Sequence, residues 1–188
     1  MNIIVTSKSD LIKKANLLID EQGFASLNIR DLANYVGCSV GTIYNYFSSK
    51  SDLVFSIVED FWKNNFHSNI AENLHCDFLS FISNFYSSVF DKFAYFRQNL
   101  LPMMSILNDE EKAKGKNIEA EYKRHMLKHF IFVLQNDTLA PASIWTENFT
   151  KTNFCNFVLE NIIFSIYNNN YDFAILKEII TKIFSSAK

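Results

Sequence analysis

Glycine and proline are scarce in this chain, and their scarcity most limits the folds it can adopt. Only four Gly and two Pro occur in 188 residues. Sandwiches and barrels need frequent turns, which Gly and Pro largely supply. Helices need neither residue, so the sequence predicts an all-α chain. With 48% hydrophobic residues, among them 19 Phe, such a chain can bury a substantial core.

The apolar residues recur at the spacing of amphipathic helices. In residues 7–22 they fall at positions 11, 12, 15, 18 and 19. Ser7 and Asp10 have the spacing of a capping box, and Gly23 is a natural C-terminal cap. The same criteria predict about nine helices along the chain. We expect them over residues 7–22, 29–35, 40–47, 50–66, 77–93, 95–107 with an interruption at Pro102, 109–135, 149–168 and 171–186.

Residues 30–50 have the pattern of a helix-turn-helix unit, in which two short helices cross at a tight turn. Ala33 is small enough to let the helices approach closely. Gly37 can adopt the positive φ that such a turn requires. Cys38 follows it as a small apolar residue, so we expect it to be buried rather than reactive. The inward-facing positions of the two helices are Leu32, Ala33, Val36, Ile43 and Phe47.

Four short stretches of this region resemble the DNA-binding domain of the TetR/AcrR family of bacterial regulators. They are GF at 23–24, LNIRDLA at 27–33, GCSVGTIYNYF at 37–47 and SKSDL at 49–53. The combination of GTIYNYF with the following SK and Leu is specific, and the resemblance covers about residues 8–55. It implies a helix-turn-helix DNA-binding domain over 1–52 and a helical ligand-binding and dimerisation domain over 53–188.

The resemblance implies that the third helix reads DNA in the major groove. Hydroxyl and amide groups there can bond phosphates or base edges, and a tyrosine ring can contact a thymine methyl. A lysine at the start of the fourth helix can hold a phosphate together with backbone N–H groups. The implied DNA-contacting residues are Asn28, Arg30, Ser39, Val40, Gly41, Thr42, Tyr44, Asn45, Tyr46 and Lys50.

Two of these positions depart from the residues that are common in the family. Val40 stands where many relatives carry Lys or Gln, so one polar contact is absent. Tyr46 stands where His is common, and its hydroxyl can still donate. Residues 1–55 contain five basic and five acidic side chains, so this region is neutral. DNA binding is therefore expected to use few phosphate charges and to depend only modestly on salt.

The last two predicted helices are the best candidates for a dimer interface, as the resemblance also implies. Each carries a wide apolar stripe, and two helices from each subunit can form a four-helix bundle. Part of each stripe must serve the core of the chain itself. The predicted interface residues are Phe154, Phe157, Val158, Asn161, Ile162, Ile166, Leu176, Ile180, Ile183 and Phe184.

The middle helices are rich in aromatic residues and Met, which suit an adaptable apolar cavity. The resemblance implies that these helices enclose a ligand pocket. For any single residue, packing in the core is the more common role. No cluster of Arg or Lys indicates a phosphate clamp, so an apolar or aromatic effector is expected. The candidate pocket residues are Phe61, Trp62, Phe66, Phe85, Tyr86, Met103, Met104, Tyr122, Met126 and Phe130.

Other chemistry finds little support in the sequence. Glu121, His125 and His129 share a helix face, and a metal is conceivable there, but a solvated charged face is far more common. We therefore predict no metal and no cofactor. The chain contains no nucleophile elbow, P-loop, dinucleotide-binding glycine motif or HExxH motif, so we predict that it is not an enzyme.

The expected compartment is the cytoplasm. The N-terminus lacks the pattern of a signal peptide, and no apolar run is long enough to span a membrane. The three cysteines lie far apart and form no disulfide or zinc-binding pattern.

The prediction is therefore a ligand-responsive regulator, and the resemblance alone favours a repressor. It would bind a palindromic operator as a homodimer and be released by a small effector. The alternative is a ligand-independent or co-regulator-dependent helix-turn-helix protein whose C-terminal domain only dimerises. A cavity of several hundred Å³ would favour the first interpretation, and a filled core would favour the second.

Overall fold

The computed structural model describes residues 7–66, 76–168 and 173–185, and all regular structure in these ranges is helical. The prediction of an all-α chain is confirmed. The eight α-helices of these ranges are α1 (Lys8–Gln22), α2 (Ile29–Val36), α3 (Val40–Tyr44), α4 (Lys50–Phe66), α5 (Phe78–Tyr95), α6 (Asp109–Asn136), α7 (Lys151–Tyr167) and α8 (Phe173–Ser185). The expected start of the last helix at residue 171 lies outside the described residues.

The predicted helix over 95–107 is not an α-helix. A π-helical turn, Phe96–Leu100, continues directly from α5, and the N–H of Leu101 donates to the carbonyl of Phe96 at 2.8 Å. A 3₁₀ turn, Pro102–Ile106, follows. Proline has no N–H to donate and clashes with the preceding turn, so regular α-helical bonding cannot pass through it. The chain instead makes a compact irregular connection to α6.

Side-chain caps and a glycine set several helix boundaries. The hydroxyl of Ser7 accepts a hydrogen bond from the N–H of Asp10 at 3.1 Å, and Gly23 ends α1 with φ of 78°. Ser49 caps α4 by accepting from the N–H of Asp52 at 3.0 Å. Thr150 caps α7 in the same way, accepting from the N–H of Asn153 at 3.0 Å, so this helix begins two residues after the predicted position.

The chain divides into two compact units. Unit one comprises the described parts of Met1–Asn64 and Tyr95–Glu119, and unit two the described parts of Asn65–Ala94 and Ala120–Lys188. The connection through Pro102 therefore belongs to the same unit as the N-terminal helices. This division reflects packing, and the predicted domain boundary between residues 52 and 53 stays a prediction.

The core of unit one is formed by aliphatic side chains from α1 to α4. Leu11, Leu18, Leu32 and Ile43 are each no more than 1% exposed. Each of these side chains contributes roughly 1.5–3 kcal/mol by leaving water. The core also includes Ala15, Ile19, Leu27, Ala33, Phe47, Leu53, Val54 and Ile57.

The core of unit two is aromatic. The ring of Phe130 lies 5.1 Å from both Phe81 and Phe85, edge to face in each case. Phe78 lies 5.9 Å from Phe154, and its N–H donates to the carboxylate of Asp137 at 2.9 Å. The edge-to-face contacts orient α5 against α6 beyond what area burial alone specifies, and the tilted pair of Phe78 and Phe154 joins α7 to the same core. No helix in the described ranges has both the length and the apolar character needed to cross a bilayer.

Candidate nucleic-acid interface

The turn between α2 and α3 is built on a left-handed glycine. Gly37 has φ of 77° and ψ of 33°, and its N–H donates to the carbonyl of Ala33 at 2.9 Å. The N–H of Cys38 donates to the same carbonyl at 2.9 Å. This arrangement closes α2 and redirects the chain within two residues. Cys38 is half-buried, and desolvation raises the pKa of its thiol, as expected for a packing residue.

The α3 helix is short and is fixed by a cap at its start and by a buried side chain on its inner face. It spans Val40–Tyr44 rather than the predicted 40–47, and the chain then tightens, since the N–H of Tyr46 donates three residues back to the carbonyl of Ile43 at 3.0 Å. Ser39 caps its start by accepting from the N–H of Thr42 at 3.1 Å. The side chain of Ile43 is fully buried and anchors the helix to the core. The opposite side of α3 is therefore turned outward.

The outward side of α3 carries an aromatic ring, a branched apolar group and an amide. Tyr44 is 53% exposed and Val40 is 37% exposed. Asn45 is also exposed. A Cβ atom at Gly41 would lie 3.6 Å from the Ser39 hydroxyl, an ordinary contact, so internal packing does not require glycine there. Its missing side chain instead leaves the backbone open to a partner from outside.

The start of α4 combines a cation with a carboxylate. Lys50 is the first residue of the helix and is exposed. The carboxylate of Asp52 accepts from the N–H of Ser48 at 2.8 Å and from its hydroxyl at 3.1 Å. The sequence reasoning missed this second cap, although Ser48 and Asp52 have the i, i+4 spacing that signals it. Asp52 stabilises the helix start, but it also lowers the positive potential beside Lys50.

The sequence predicts a DNA contact from Asn28, whereas the structure uses this side chain as the cap of α2. Its Oδ1 accepts from the N–H groups of Arg30 and Asp31 at 3.0 and 2.9 Å. Its Nδ2 donates to the carboxylate of Asp31. Asn28 therefore fixes the start of α2, and Arg30, which is exposed, carries the free charge of that helix start.

The remaining predicted DNA contacts are accessible to different degrees. Arg30, Ser39, Val40, Gly41, Tyr44, Asn45 and Lys50 are exposed, while Thr42 and Tyr46 are half-buried. The hydroxyls of Ser39 and Thr42 lie 2.9 Å apart. Together these side chains offer hydroxyl, amide, guanidinium and ammonium donors from the starts of α2, α3 and α4. Such donors bind phosphate oxygens and base edges.

Half of the predicted dimer residues serve the core of the chain instead. They share a helix face turned inward, and their side chains are at most 3% exposed: Phe154, Val158, Ile162, Ile166 and Ile180. Since these side chains are already buried, they cannot form the outer surface of an interface. The other five, Phe157, Asn161, Leu176, Ile183 and Phe184, are exposed or half-buried.

The two most exposed apolar side chains of α7 and α8, Phe164 and Ile175, were not among the predicted interface residues. Phe164 is 67% exposed, Ile175 is 61% exposed and Ile179 is 41% exposed. With Phe157 they line an open groove of about 290 Å³. The α7 helix is apolar on most of its circumference, so periodicity alone could not separate its inner face from its outer face.

The candidate pocket residues fall into two groups. In unit one, Phe61 lies 6.0 Å from Trp62, ring centre to ring centre, and 5.1 Å from Phe96. Met103 is buried and Met104 is half-buried.

In unit two, Phe85 packs on Phe130, and Tyr86 stacks on Phe173 with ring centres 4.5 Å apart. Met126 is buried and Tyr122 is half-buried. The side chain of Phe66 lies outside the described residues. Within each unit the candidate aromatic rings pack against other aromatic rings, such as Phe61 on Phe96 and Tyr86 on Phe173.

The possible metal ligands do not form a site. Glu121 and His125 are exposed, and His129 is half-buried. Across the part of the chain that the structure describes, no three His, Cys, Asp or Glu residues are grouped closely enough to hold a metal ion.

Comparison with known proteins supports the interpretation of the N-terminal helices. Residues 11–57 match the family described as bacterial regulatory proteins, tetR family. This match covers most of α1, all of α2 and α3 and the first half of α4, and it therefore includes every predicted DNA contact. No protein of curated function matches the chain in sequence.

Several solved structures share the fold over nearly the whole chain. FadR from Bacillus subtilis, solved with stearoyl-CoA, has a TM-score of 0.59 and 18% identity, covering 97% of this chain and 100% of its own. A TetR/AcrR-family transcriptional regulator from Thermobifida fusca has a TM-score of 0.57 and 18% identity, with coverage of 96% and 97%. The superantigen PfiT has a TM-score of 0.62 and 16% identity, with coverage of 97% and 96%. At these identities the likeness concerns the fold alone.

Proposed function

We propose that this chain, which belongs to the TetR/AcrR family of DNA-binding bacterial regulators, is a homodimeric repressor that binds a palindromic operator and is released by an apolar effector. The observation that carries the proposal is the outward face of α3. There a tyrosine that is 53% exposed lies beside the exposed Val40 and an accessible glycine backbone. Exposed aromatic groups of this kind mark a binding surface.

The roles of the individual residues follow from their chemistry. Tyr44 sets its ring or hydroxyl against the DNA, and Asn45 bonds a base edge or a phosphate. Lys50 and Arg30 supply the cationic phosphate contacts. Gly41 lets the backbone of α3 approach the groove closely. We place this activity in the cytoplasm, where the DNA of a bacterium lies.

A two-fold operator requires two copies of α3, so the proposal includes a dimer. The apolar groove along α7 and α8 supports it, because exposed side chains such as Phe164 and Ile175 cost free energy while they face water. We assign the interface to the outer faces of these two helices. Two copies would then form a four-helix bundle.

Contacts made by the connection between α5 and α6 support a way in which effector binding could change the position of α3. The ring of Phe96, in the π-helical turn, lies 5.1 Å from Phe61 and 5.7 Å from Trp62 on α4. The Tyr95 hydroxyl bonds the carboxylate of Asp20 on α1, and burial together with this bond raises the pKa of Tyr95. A displacement of this turn would therefore move α4 and α1, which position α3.

An apolar effector fits the composition of the interior. The similar FadR structure holds stearoyl-CoA, a ligand with a long apolar chain. By analogy, we propose an effector whose apolar part replaces some of the aromatic contacts around α5 and α6. The effector releases DNA only if it binds the DNA-incompetent arrangement more tightly than the competent one.

A second candidate function keeps the DNA binding and omits the effector. The candidate pocket rings are packed against aromatic neighbours, as in the contact of Phe85 with Phe130. A filled interior favours a regulator whose C-terminal helices only dimerise. The two candidates differ in whether any apolar ligand weakens DNA binding.

To test the proposal, DNA fragments of the source genome are incubated with the purified protein at low salt, and the bound fragments are recovered and identified. The control is the double variant Tyr44→Ala, Lys50→Ala, whose substitutions lie on the surface and leave the core intact. We expect the wild-type protein to enrich a palindromic site that the variant does not retain. Equal enrichment by both proteins, or none by the wild type with and without cell extract, would overturn the proposal.

A further inference from the structure

A small cleft lies within unit one, between the N-terminal helices and the turn that contains Pro102. Its volume is about 90 Å³. Leu27, Val54 and Met103 form its floor and are at most 4% exposed. The rim is formed by accessible residues, namely Phe24, Ala25, Lys50, Pro102, Ser105 and Ile106. Two of these residues have been discussed singly, Lys50 as a phosphate contact and Met103 as a candidate pocket residue, but the cleft that they line together has no role.

The lining combines an apolar interior with one charge at the mouth. Phe24 is 38% exposed and Ile106 is 44% exposed, so two large apolar side chains border the opening. Among the residues that line the cleft, Lys50 alone carries a formal charge. The hydroxyl of Ser105 donates to the carbonyl of Pro102 at 2.8 Å, which leaves no strong donor besides Lys50 on that side of the rim.

From this lining we infer that the cleft binds a short unbranched alkyl carboxylate, with its tail on Leu27, Val54 and Met103 and its carboxylate on the ammonium of Lys50. An apolar cavity of roughly 150 Å³ accommodates benzene. A cleft of about 90 Å³ is smaller and suits a tail of three or four carbons. An amine of the same length would place like charges together at the mouth, and an alcohol would forgo the ionic contact.

The site has a consequence for DNA binding that rests on the proposed function. A carboxylate bound to Lys50 neutralises the ammonium charge that would otherwise attract a DNA phosphate. The carboxylate is therefore a direct competitor of the operator. It acts at the DNA-binding surface itself, without a signal from the C-terminal helices. The response would be graded, since only one of several phosphate contacts is removed.

The first test measures binding without DNA. Sodium acetate, propionate, butyrate and hexanoate are titrated into the ¹⁵N-labelled protein at constant ionic strength, and amide shifts are followed. We expect saturable shifts at Ala25, Leu27 and Val54. The dissociation constant should fall about fourfold for each methylene added up to butyrate, because each is buried in the cleft. Hexanoate should gain nothing further, since its tail exceeds the cleft.

Two matched comparisons make the outcome specific. In Lys50→Met, which keeps the apolar stem, butyrate should bind no more tightly than n-butanol, whereas the wild type should prefer butyrate at least tenfold. Ile106→Trp, which fills the mouth, should abolish the shifts, while Ile106→Val should keep them. Shifts that do not saturate, shifts that are equal for chloride and butyrate, or a tenfold preference for butyrate over n-butanol that persists in Lys50→Met would overturn the inference.

The second test adds DNA. Fluorescence anisotropy with the fragment recovered by genomic selection should show butyrate raising the dissociation constant at constant ionic strength, and acetate having a smaller effect. Amide shifts without any DNA binding by the protein would leave the site standing and refute the proposed function. DNA binding without saturable butyrate shifts would refute the site and leave the proposed function standing.

Discussion

At the scale of single residues, the hydrogen bonds of the structure give some predicted contact residues a structural role. Asn28 is the clearest case. The family pattern places it among the DNA contacts, but its side chain accepts two backbone N–H groups and binds Asp31. A polar residue before a helix serves equally well as a cap or as a ligand, and only the surrounding hydrogen bonds separate the two. The same ambiguity does not arise for Tyr44, because its side chain does not serve as a helix cap.

Replacing Asn28 with alanine tests its role as a cap. We expect Asn28→Ala to lower the free energy of unfolding by about 1 kcal/mol, because two N–H groups of α2 lose their acceptor. The affinity of the folded protein for DNA should change little. Urea denaturation and DNA titration at low temperature measure the two quantities. Asn34→Ala, an exposed position later in α2, is the matched control and should alter neither.

Two glycines differ in what they contribute to the fold. Gly37 adopts a left-handed conformation with φ of 77°. Gly37→Ala should therefore destabilise the protein by about 1–2 kcal/mol. Gly115 lies inside α6, and a Cβ atom there would meet nothing within 4 Å. Gly115→Ala should stabilise the protein by about 0.5–1 kcal/mol.

Thermal or urea unfolding of the two glycine variants gives opposite signs if this account is right. A destabilised Gly115→Ala would mean that this part of α6 needs room for a partner. An unaffected Gly37→Ala would mean that the turn can relax into another conformation.

At the scale of helices, caps and periodicity were sufficient where one face of a helix is clearly polar. The α1 helix fits this description, and its five predicted inward residues are the five that are buried. The α7 helix does not, because apolar residues surround it and its inner and outer stripes look alike. Which stripe faces inward depends on the aromatic residues of α5 and α6, and these are distant in sequence. The π-helical turn was missed for a similar reason, since Pro102 shows where a helix fails but not what replaces it.

The outer face of α8 gives a test of the dimer. Ile175→Lys combined with Ile179→Lys should raise the dimer dissociation constant at least about 100-fold. The two substitutions remove apolar contacts, and the two-fold axis brings four ammonium groups together. Sedimentation equilibrium measures the effect. Thr181→Lys, exposed on the same helix, should leave the dimer intact.

The same double lysine variant can also be tested for its affinity for DNA. The double lysine variant should keep its helical content and lose most of its operator affinity, because each half-site alone binds weakly. A variant that remains dimeric would place the interface on other helices.

At the scale of the whole molecule, the all-α architecture was predictable from the sequence. The division of the chain into two packed units was not. Few glycines and a helical period were enough to predict an all-α chain, and the fold is confirmed over the described residues. The grouping of residues 95–119 with the N-terminal helices had no signal in the sequence. It arises from contacts such as Phe61 with Phe96, which join segments more than 30 residues apart in the chain.

The charge of the molecule gives a test of DNA binding as a whole. If Lys50 and Arg30 from each of two subunits neutralise one phosphate each, the logarithm of the affinity should fall with the logarithm of salt with a slope of about −4. Lys50→Ala should reduce this slope by about two, because it removes two ionic contacts per dimer. Tyr44→Phe should lower the affinity without changing the slope. A wild-type slope of −8 or steeper would mean that other basic residues carry the binding.

The five-residue length of α3 limits how much sequence one protomer can distinguish. At 1.5 Å per residue the helix is roughly 7.5 Å long, which corresponds to about two base-pair steps of 3.4 Å. Two protomers would then read about four base pairs directly, and a pattern of that size recurs by chance roughly once in a few hundred base pairs. A regulator that reads so few base pairs would gain its selectivity from the spacing of its two half-sites and from the flexibility of the DNA between them. Recognition of its operators would therefore depend on the deformability of the DNA as much as on the bases that the protein contacts.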